Sequence, residues 1–212
     1  MKKKSTHLWL LGIVVLFLFG LSACSSDDDS EKKNPTEEYI KAARKLLNGN
    51  VVLYTKATMN GVDKTLLPKG CPTKFNFEWT SSDTLKLSLN GFTVGNMPFT
   101  IYFHCLCKCM ELNSWEKDEY KGSGWIKFKG KDGQVTGDPK DNSAVEKGSG
   151  ATVIGYLNVK TQEINFIVNY NMMNVRSECF LQTIDKNLIK HYEEDFKRYE
   201  EELAEYKKQH GL

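Results

Sequence analysis

The sequence has little proline, no marked excess of either charge and only one long apolar run. Its 5 prolines in 212 residues argue against a proline-rich disordered chain or a collagen, and 40% hydrophobic residues suffice for one globular domain. A formal net charge of +2 argues against binding nucleic acid, which needs a dense basic surface. No nucleophile, base and orienting residue stand in a recognisable set, so the sequence predicts no enzyme.

The apolar run lies at the N-terminus and is shorter than a membrane span. Lys2, Lys3 and Lys4 precede residues 8–21, and Leu21-Ser22-Ala23-Cys24 follows with small residues. A membrane span needs about 20 apolar residues, so the pattern is typical of a secretory signal peptide, residues 1–23. The Leu-Ser-Ala-Cys ending resembles a bacterial lipobox, which implies lipidation of Cys24.

Removal of residues 1–23 lowers the formal charge from +2 to −1. Residues 24–35 have no large apolar side chain and predict a flexible tether. The acidic residues 27–29 resemble a surface-export signal of Bacteroidetes lipoproteins, or form a plain spacer. Ser25 after the cysteine resembles an outer-membrane lipoprotein. We expect an envelope protein on the outer membrane, with the membrane face left open.

Between residues 51 and 183 the sequence has the two-residue period of strands with one buried face. Phe75, Phe77 and Trp79 alternate with polar residues, and turn signals such as Asn60-Gly61 separate the runs. About eight to ten such runs predict a mainly β domain, an antiparallel barrel or alternatively a sandwich. The polar segment 137–150 is predicted to be a loop.

Helices are predicted on both sides of the strands, over residues 36–48 and 186–208, so that residues 36–212 form one domain. The C-terminal helix has an apolar stripe at alternating spacings of four and three, which either packs on the β-domain as core or forms an exposed seam for a partner or for self-association. Trp115, in a predicted polar loop, either folds back on the core or marks a contact surface.

Five cysteines remain after Cys24, and an odd number in an oxidising compartment predicts disulfides with one thiol left over. Three of them alternate along one strand, and neighbours two apart have Cα atoms about 6.6 Å from each other with parallel side chains. We therefore expect the other two to pair with members of the triplet. The disulfide candidates are Cys71, Cys105, Cys107, Cys109 and Cys179.

A metal site is the alternative use of these thiols. A straight strand spreads the sulfurs along a line, His104 points to the opposite face, and zinc sites use Cys-x₂₋₄-Cys spacing. The sequence therefore predicts no metal and no cofactor, although a soft ion such as Cu(I) stays an alternative.

The segment Leu85–Phe99, LKLSLNGFTVGNMPF, together with Ser114–Tyr120, Gly124–Phe128 and Ile167–Phe180, resembles uncharacterised calycin-like lipoproteins of gut Bacteroidetes. This resemblance covers roughly residues 50–182 and implies a lipocalin-like antiparallel barrel and an outer-membrane address. It transfers no catalytic or ligand-binding residue. The triple-cysteine strand and the long C-terminal helix are not general features of that family.

Two functions follow as hypotheses. The first is binding of a small apolar or amphipathic ligand inside the barrel, since eight-stranded barrels either hold one ligand or fill with side chains. The second is a non-enzymatic interaction subunit of an outer-membrane assembly that acts through the C-terminal helix and Trp115. The candidate ligand-lining residues are Phe75, Phe77, Trp79, Phe99, Ile101, Phe103, Phe166 and Tyr170.

Overall fold

The computed structural model describes residues 35–95, 97–141 and 143–212. The predictions for the signal peptide, for Cys24 and for the tether up to residue 34 lie outside this range. The helices are α1 (Pro35–Leu46), α2 (Ser114–Glu119) and α3 (Tyr192–His210), with a 3₁₀ turn at Leu188–His191. The strands are β1 (Gly49–Met59), β2 (Val62–Asp63), β3 (Cys71–Trp79), β4 (Thr84–Phe92), β5 (Phe99–Met110), β6 (Trp125–Pro139), β7 (Glu146–Asn158), β8 (Glu163–Asn169) and β9 (Val175–Thr183).

The strands close into an eight-stranded antiparallel barrel. From β3 onward each strand pairs with the next along the chain, β1 pairs with β3, and β9 returns to pair with β1. The two-residue β2 is an addition beside β1. Thr55 shows the closure, because it faces Cys71 on β3 and Cys179 on β9. The predicted β-barrel is confirmed, and closure leaves no long unpaired edge.

Side chains along β5 alternate between the interior and the outer face, as the sequence predicted. Phe99, Ile101, Phe103 and the three cysteines of β5 are buried, whereas His104 and Leu106 are exposed. This follows from the pleat of a strand, which sends successive side chains to opposite faces.

The predicted loop over residues 137–150 is wrong at both ends. β6 continues to Pro139 and β7 begins at Glu146, with Gly137 paired to Glu146. The sequence did not reveal these strand ends because glycines, which have no side chain, occupy the inward positions. The side chain of Met172, in the connection between β8 and β9, fills the space next to these glycines. A Cβ on Gly137 would lie 2.9 Å from the Met172 Cε, and one on Gly148 would lie 3.6 Å from the Met172 Cβ.

The Asn60-Gly61 turn forms with positive φ at both residues, 51° and 77°, as a type I′ hairpin requires. Its second arm, β2, is only two residues long and ends at Asp63. Beyond Asp63, a side chain takes the place of a paired strand residue for β1. The Thr65 hydroxyl accepts a hydrogen bond of 2.8 Å from the backbone N–H of Ala57.

The long C-terminal helix is confirmed and packs on the barrel. Its regular part begins at Tyr192, after the 3₁₀ turn. Tyr199 and Leu203 are buried, and the Tyr199 hydroxyl donates a hydrogen bond of 3.0 Å to the Thr65 carbonyl. Phe196 and Tyr206 also pack against the core. The apolar stripe is thus core and not an exposed seam. None of the described helices has the length and hydrophobicity that a membrane span needs.

Candidate functional site

The barrel interior, where the sequence predicted ligand-lining residues, is filled by aromatic rings around Phe166. The Phe166 ring is 4.9 Å from the Phe75 ring and 5.9 Å from the Phe128 ring, centroid to centroid, with the first pair edge to face. Phe77 is 6.4 Å away, also edge to face. These are ordinary packing distances for aromatic pairs, so the rings contact each other in this layer of the barrel.

Gly155 shows how tightly this layer is packed. A Cβ on Gly155 would lie 2.5 Å from the Phe166 Cβ and would overlap the Phe128 ring. Only a glycine therefore allows both rings to sit against the β7 backbone.

The other predicted lining residues are also part of the core. Phe99, Ile101, Phe103 and Tyr170 are buried, and the rings of Phe103 and Tyr170 meet edge to face at 5.4 Å. The Tyr170 hydroxyl is paired with the Ser177 hydroxyl at 2.9 Å, and burial raises the pKa of Tyr170 well above its ordinary value. These side chains contribute to folding by filling the barrel.

Trp79 differs from the other predicted lining residues because it lies half-buried next to α1. Its indole N–H donates a hydrogen bond of 2.6 Å to the Leu47 carbonyl. The guanidinium of Arg44 lies over its ring, with the Cζ atom 5.5 Å from the ring centroid. The α1 end of the barrel therefore combines an aromatic residue with a cation.

A groove of about 650 Å³ lies between α1, the β3–β4 turn and the end of β5. The two grooves along α3 are smaller, about 280 and 250 Å³. The lining residues are Thr36, Glu37, Ile40, Lys41, Arg44, Ser82, Asp83 and Cys109. Its volume is in the range of small-molecule sites, which is about 300–1,000 Å³.

The groove has an apolar floor and a charged rim. Ile40 and Cys109 are buried, whereas Lys41 and Arg44 are exposed. Asp83 is engaged with hydroxyls of its own turn and with Lys108, 3.6 Å away, which lowers the pKa of its carboxyl. One guanidinium N–H of Arg44 donates a hydrogen bond of 3.1 Å to the Ser81 carbonyl, which leaves further guanidinium donors at the rim.

All five described cysteines are buried free thiols. Cys71 and Cys179 face Thr55 from opposite sides, two strands apart, so their Cα atoms are about 10 Å from each other. A disulfide needs a Cα separation below about 7 Å. These two cysteines therefore cannot bond to each other without a backbone movement.

The expected pairing of these two cysteines with the β5 triplet does not fit the register either. Cys179 pairs with Phe166, Phe166 with Gly155, Gly155 with Phe128, and Phe128 with Cys109, each on the next strand. Cys179 and Cys109 are therefore four strands apart, on opposite walls of the barrel. Two aromatic rings lie between them.

Cys71 is also remote from the triplet. Leu87 on β4 pairs with Cys105 on one side and with Phe77 of β3 on the other. Phe77 and Cys71 are six residues apart along β3, so their Cα atoms are separated by about 20 Å. No member of the triplet is within disulfide distance of Cys71 in this register.

Among residues 35–95, 97–141 and 143–212, no three or more His, Cys, Asp or Glu side chains converge as metal ligands would. His104 lies on the outer face of β5, in a shallow polar depression with Tyr102 and Gln134.

A polar cluster on the outer wall was missed by the sequence reasoning. The Lys127 ammonium donates hydrogen bonds of 2.6 and 2.9 Å to the two carboxylate oxygens of Glu116, and the Tyr156 hydroxyl donates one of 2.9 Å. The side chains of Lys127 and Glu116 are only 11% and 13% exposed. Tyr120 stacks on Tyr156 at 4.1 Å.

This cluster fixes α2, the short helix that replaces the predicted loop around Trp115. Asn113 and Glu116 form a capping box, with reciprocal hydrogen bonds of 2.9 and 2.8 Å. The spacing Asn-x-x-Glu is a helix-start signal and could have been found in the sequence. Trp115 itself is 82% exposed on the first turn of this helix.

One family model matches the chain over residues 24–211, and its description is a domain of unknown function, DUF4903. The chain belongs to the DUF4903 family. For this DUF4903 chain, no match was found among the curated proteins or among the solved structures.

Proposed function

We propose that this protein is a lipid-anchored envelope protein that binds a small amphipathic ligand with an acidic head group. The observation that supports ligand binding is the groove at the α1 end of the barrel. Its volume of about 650 Å³ suits a small ligand, whereas in the middle of the barrel the rings of Phe75 and Phe128 pack against Phe166.

The chemistry of the groove supports an amphipathic anion. Ile40 and Cys109 offer a surface for an apolar chain, and the rim holds two cations, Lys41 and Arg44, beside two carboxylates, Glu37 and Asp83. The Asp83 carboxylate is engaged by its own turn and by Lys108. A guanidinium binds a carboxylate or phosphate through paired N–H donors, so Arg44 is the residue that would hold the head group.

The test is a titration of the full chain with dansylated undecanoic acid, followed by dansyl fluorescence. Arg44→Gln is expected to raise the dissociation constant about tenfold, because a hydrogen bond to a charged group contributes roughly 1.5 kcal/mol or more. Lys45→Gln is the matched control, since Lys45 is the neighbouring exposed cation on α1 and is not part of the groove.

The neutral methyl ester of the same probe separates head-group recognition from apolar binding. Its affinity is expected to be the same for wild type and Arg44→Gln. Absence of probe binding to the wild-type chain, or equal losses in Arg44→Gln and Lys45→Gln, would show that the groove is not the ligand site.

The lipid anchor is a separate part of the proposal and rests on Lys2–Lys4, the apolar residues 8–21 and the Leu21–Cys24 sequence. The mass of the protein from an envelope fraction is expected to equal residues 24–212 with acyl chains on Cys24. A Cys24→Ala chain is expected to keep its leader and carry no lipid. A lipid-free wild-type protein would contradict the anchor.

A second candidate function is self-association through Trp115, because a fully presented tryptophan on a rigid helix is typical of interface hot spots. The apolar face of α3 already packs on the barrel, so a contact through α3 would use its charged outer face. Sedimentation equilibrium of wild type and Trp115→Ala tests this: a dimer weakened at least tenfold supports it, and unchanged behaviour contradicts it.

A further inference from the structure

Two of the five buried thiols converge on one point in the barrel wall. A Cβ on Gly130 would lie 2.5 Å from the Sγ of Cys105 and 2.8 Å from the Sγ of Cys107. Both sulfurs therefore occupy the space above this glycine, and the Cys107 Sγ also lies 3.8 Å from the Cys105 carbonyl oxygen. Cys109, the third member of the triplet, has no such contact with Gly130.

The convergence arises from a bulge in β6. His104 pairs with Gln134 and Cys107 pairs with Gly130, so β6 has three residues opposite two on β5. Asp132, in the bulge, has φ of 59°, which is typical of the left-handed residue of a bulge. The Sγ of Cys105 reaches into the bulge and lies 3.7 Å from the Lys131 carbonyl oxygen.

The bulge also leaves part of β5 unpaired on the side that faces β6. Cys105 and Leu106 have no paired residue on β6, although both pair with β4. The side chain of Leu106 is exposed, so the backbone at this residue has room to bend outward. A small bend of this kind would bring the Cβ atoms of its two neighbours together.

We propose that Cys105 and Cys107 are a redox-active dithiol, which a small-molecule disulfide oxidises to an intramolecular disulfide. The other described cysteines stay reduced. The register holds Cys71 and Cys179 apart from each other and from this pair, and Cys109 lies beyond the bulge, where its residue pairs with Phe128 and its backbone N–H donates to the Asp83 carbonyl. The proposal is independent of ligand binding at the α1 groove.

The reaction balances as two successive thiol–disulfide exchanges. The Cys105 sulfur loses its proton and attacks one sulfur of the oxidant. The oxidant's S–S bond breaks, and its first thiol leaves with that proton. The Cys107 sulfur then loses its proton and attacks the Cys105 sulfur, which releases the second thiol. Two protein S–H bonds have broken, one protein S–S bond has formed, and the oxidant has gained two electrons and two protons.

The environment distinguishes the two sulfurs. The neighbouring Cys107 thiol lowers the pKa of the Cys105 thiol, and the backbone N–H of Gly133 adds to this effect, against the opposing effects of burial and of Asp132. The same contact, together with burial, raises the pKa of Cys107. Cys105 also lies at the bulge, where it has no paired residue on β6, whereas Cys107 is paired with Gly130. We therefore assign the first attack on the oxidant to Cys105, as its thiolate.

The disulfide would be easy to reduce. Residues two apart on a strand have Cα atoms about 6.6 Å from each other, close to the upper limit for a disulfide, and their side chains run parallel. Closure therefore stores strain in β5, and strained disulfides are the readily reduced ones. The pair is suited to switching and not to permanent cross-linking.

Trypsin gives a direct readout, because cleavage after Lys86 and Lys108 places Cys105 and Cys107 alone on the peptide 87–108. Cys71, Cys109 and Cys179 lie on the separate peptides 70–74, 109–117 and 177–186. The reduced full chain is incubated with oxidised glutathione, quenched in acid, labelled with N-ethylmaleimide, digested and weighed by mass spectrometry.

We expect the peptide 87–108 to lose two hydrogens and both labels, at least about tenfold more often than any two peptides become linked. Urea below the unfolding transition should accelerate the reaction, because the thiols are buried. In Cys107→Ala, Cys105 is expected to carry glutathione, whereas Cys109→Ala should react like the wild type. Circular dichroism shows that each variant is folded.

Two results would overturn the proposal. One is a peptide 87–108 that keeps both labels, with and without urea. The other is a predominant disulfide between different peptides, such as 70–74 with 109–117.

Discussion

The Glu116–Lys127 pair allows the most precise prediction. Lys127→Met removes the ammonium but keeps most of the apolar stem, so the Glu116 carboxylate loses two hydrogen bonds of 2.6 and 2.9 Å. Both side chains are largely buried, at 11% and 13% exposure, so solvent replaces the lost partner only in part. Removal of one member of a buried ion pair costs about 3–5 kcal/mol, and we expect about 3 kcal/mol because Tyr156 still donates to the carboxylate.

The matched control is Lys117→Met. Lys117 and Glu111 are also 2.6 Å apart, but their side chains are 55% and 61% exposed. An exposed pair contributes only about 0–1 kcal/mol. The double variant Glu116→Gln with Lys127→Met should be more stable than Lys127→Met alone, because no uncompensated charge remains. Urea unfolding followed by circular dichroism gives these free energies, and equal costs for Lys127→Met and Lys117→Met would refute the reasoning.

The same pair predicts a pH dependence. Burial by itself would raise the pKa of Glu116, but hydrogen bonds from Lys127, the Asn113 backbone and Tyr156 outweigh it and lower the pKa below its ordinary 4.5. The folded pKa is below the unfolded one, so the stabilisation is complete above about pH 4.5 and is lost as the pH falls through the folded value. The difference in unfolding free energy between wild type and Glu116→Gln should therefore shrink below about pH 4.5. A difference that stays constant with pH would contradict this assignment.

Two further substitutions test the core. Phe166→Ala should lower the free energy of unfolding in urea by about 3–5 kcal/mol, because the ring contacts three other buried rings and its removal leaves a cavity. A loss below about 1 kcal/mol would indicate a hollow barrel. Leu203→Ala should cost about 2–4 kcal/mol, because α3 is docked through this residue. Leu181→Ala, at a position that is 54% exposed, is its control and should change stability by less than about 1 kcal/mol.

Several features of the fold could be predicted because they depend on neighbours along the chain. The two-residue period of β5 assigns Phe99 to the interior and His104 to the outer face wherever the strand pairs. The Asn60-Gly61 turn and the length of α3 follow from local chemistry in the same way. The prediction failed over residues 137–150, where glycines occupy inward positions and the apolar group that covers them is Met172, distant in sequence.

The candidate sites were less accessible from the sequence. Ile40, Lys41 and Arg44 line the groove only because α1 lies across the barrel end beside Asp83 and Cys109. Seven of the eight predicted lining residues are buried, and the eighth, Trp79, lies half-buried next to α1. The sequence could not show that their rings fill the interior, because that depends on which strands face each other across the barrel.

The sequence alone determined most of the strand faces, the two flanking helices α1 and α3, and the number of cysteines, since these follow from periodicity, capping residues and composition. The tertiary structure decided the closure of β9 onto β1, the burial of the Glu116–Lys127 pair and the placement of the cysteines. The physical reason is register: a one-residue bulge in β6 brings Cys105 and Cys107 together over Gly130, and strand pairing separates Cys71 and Cys179 from them. Contacts of this kind depend on residues far apart in the chain, which no local pattern records.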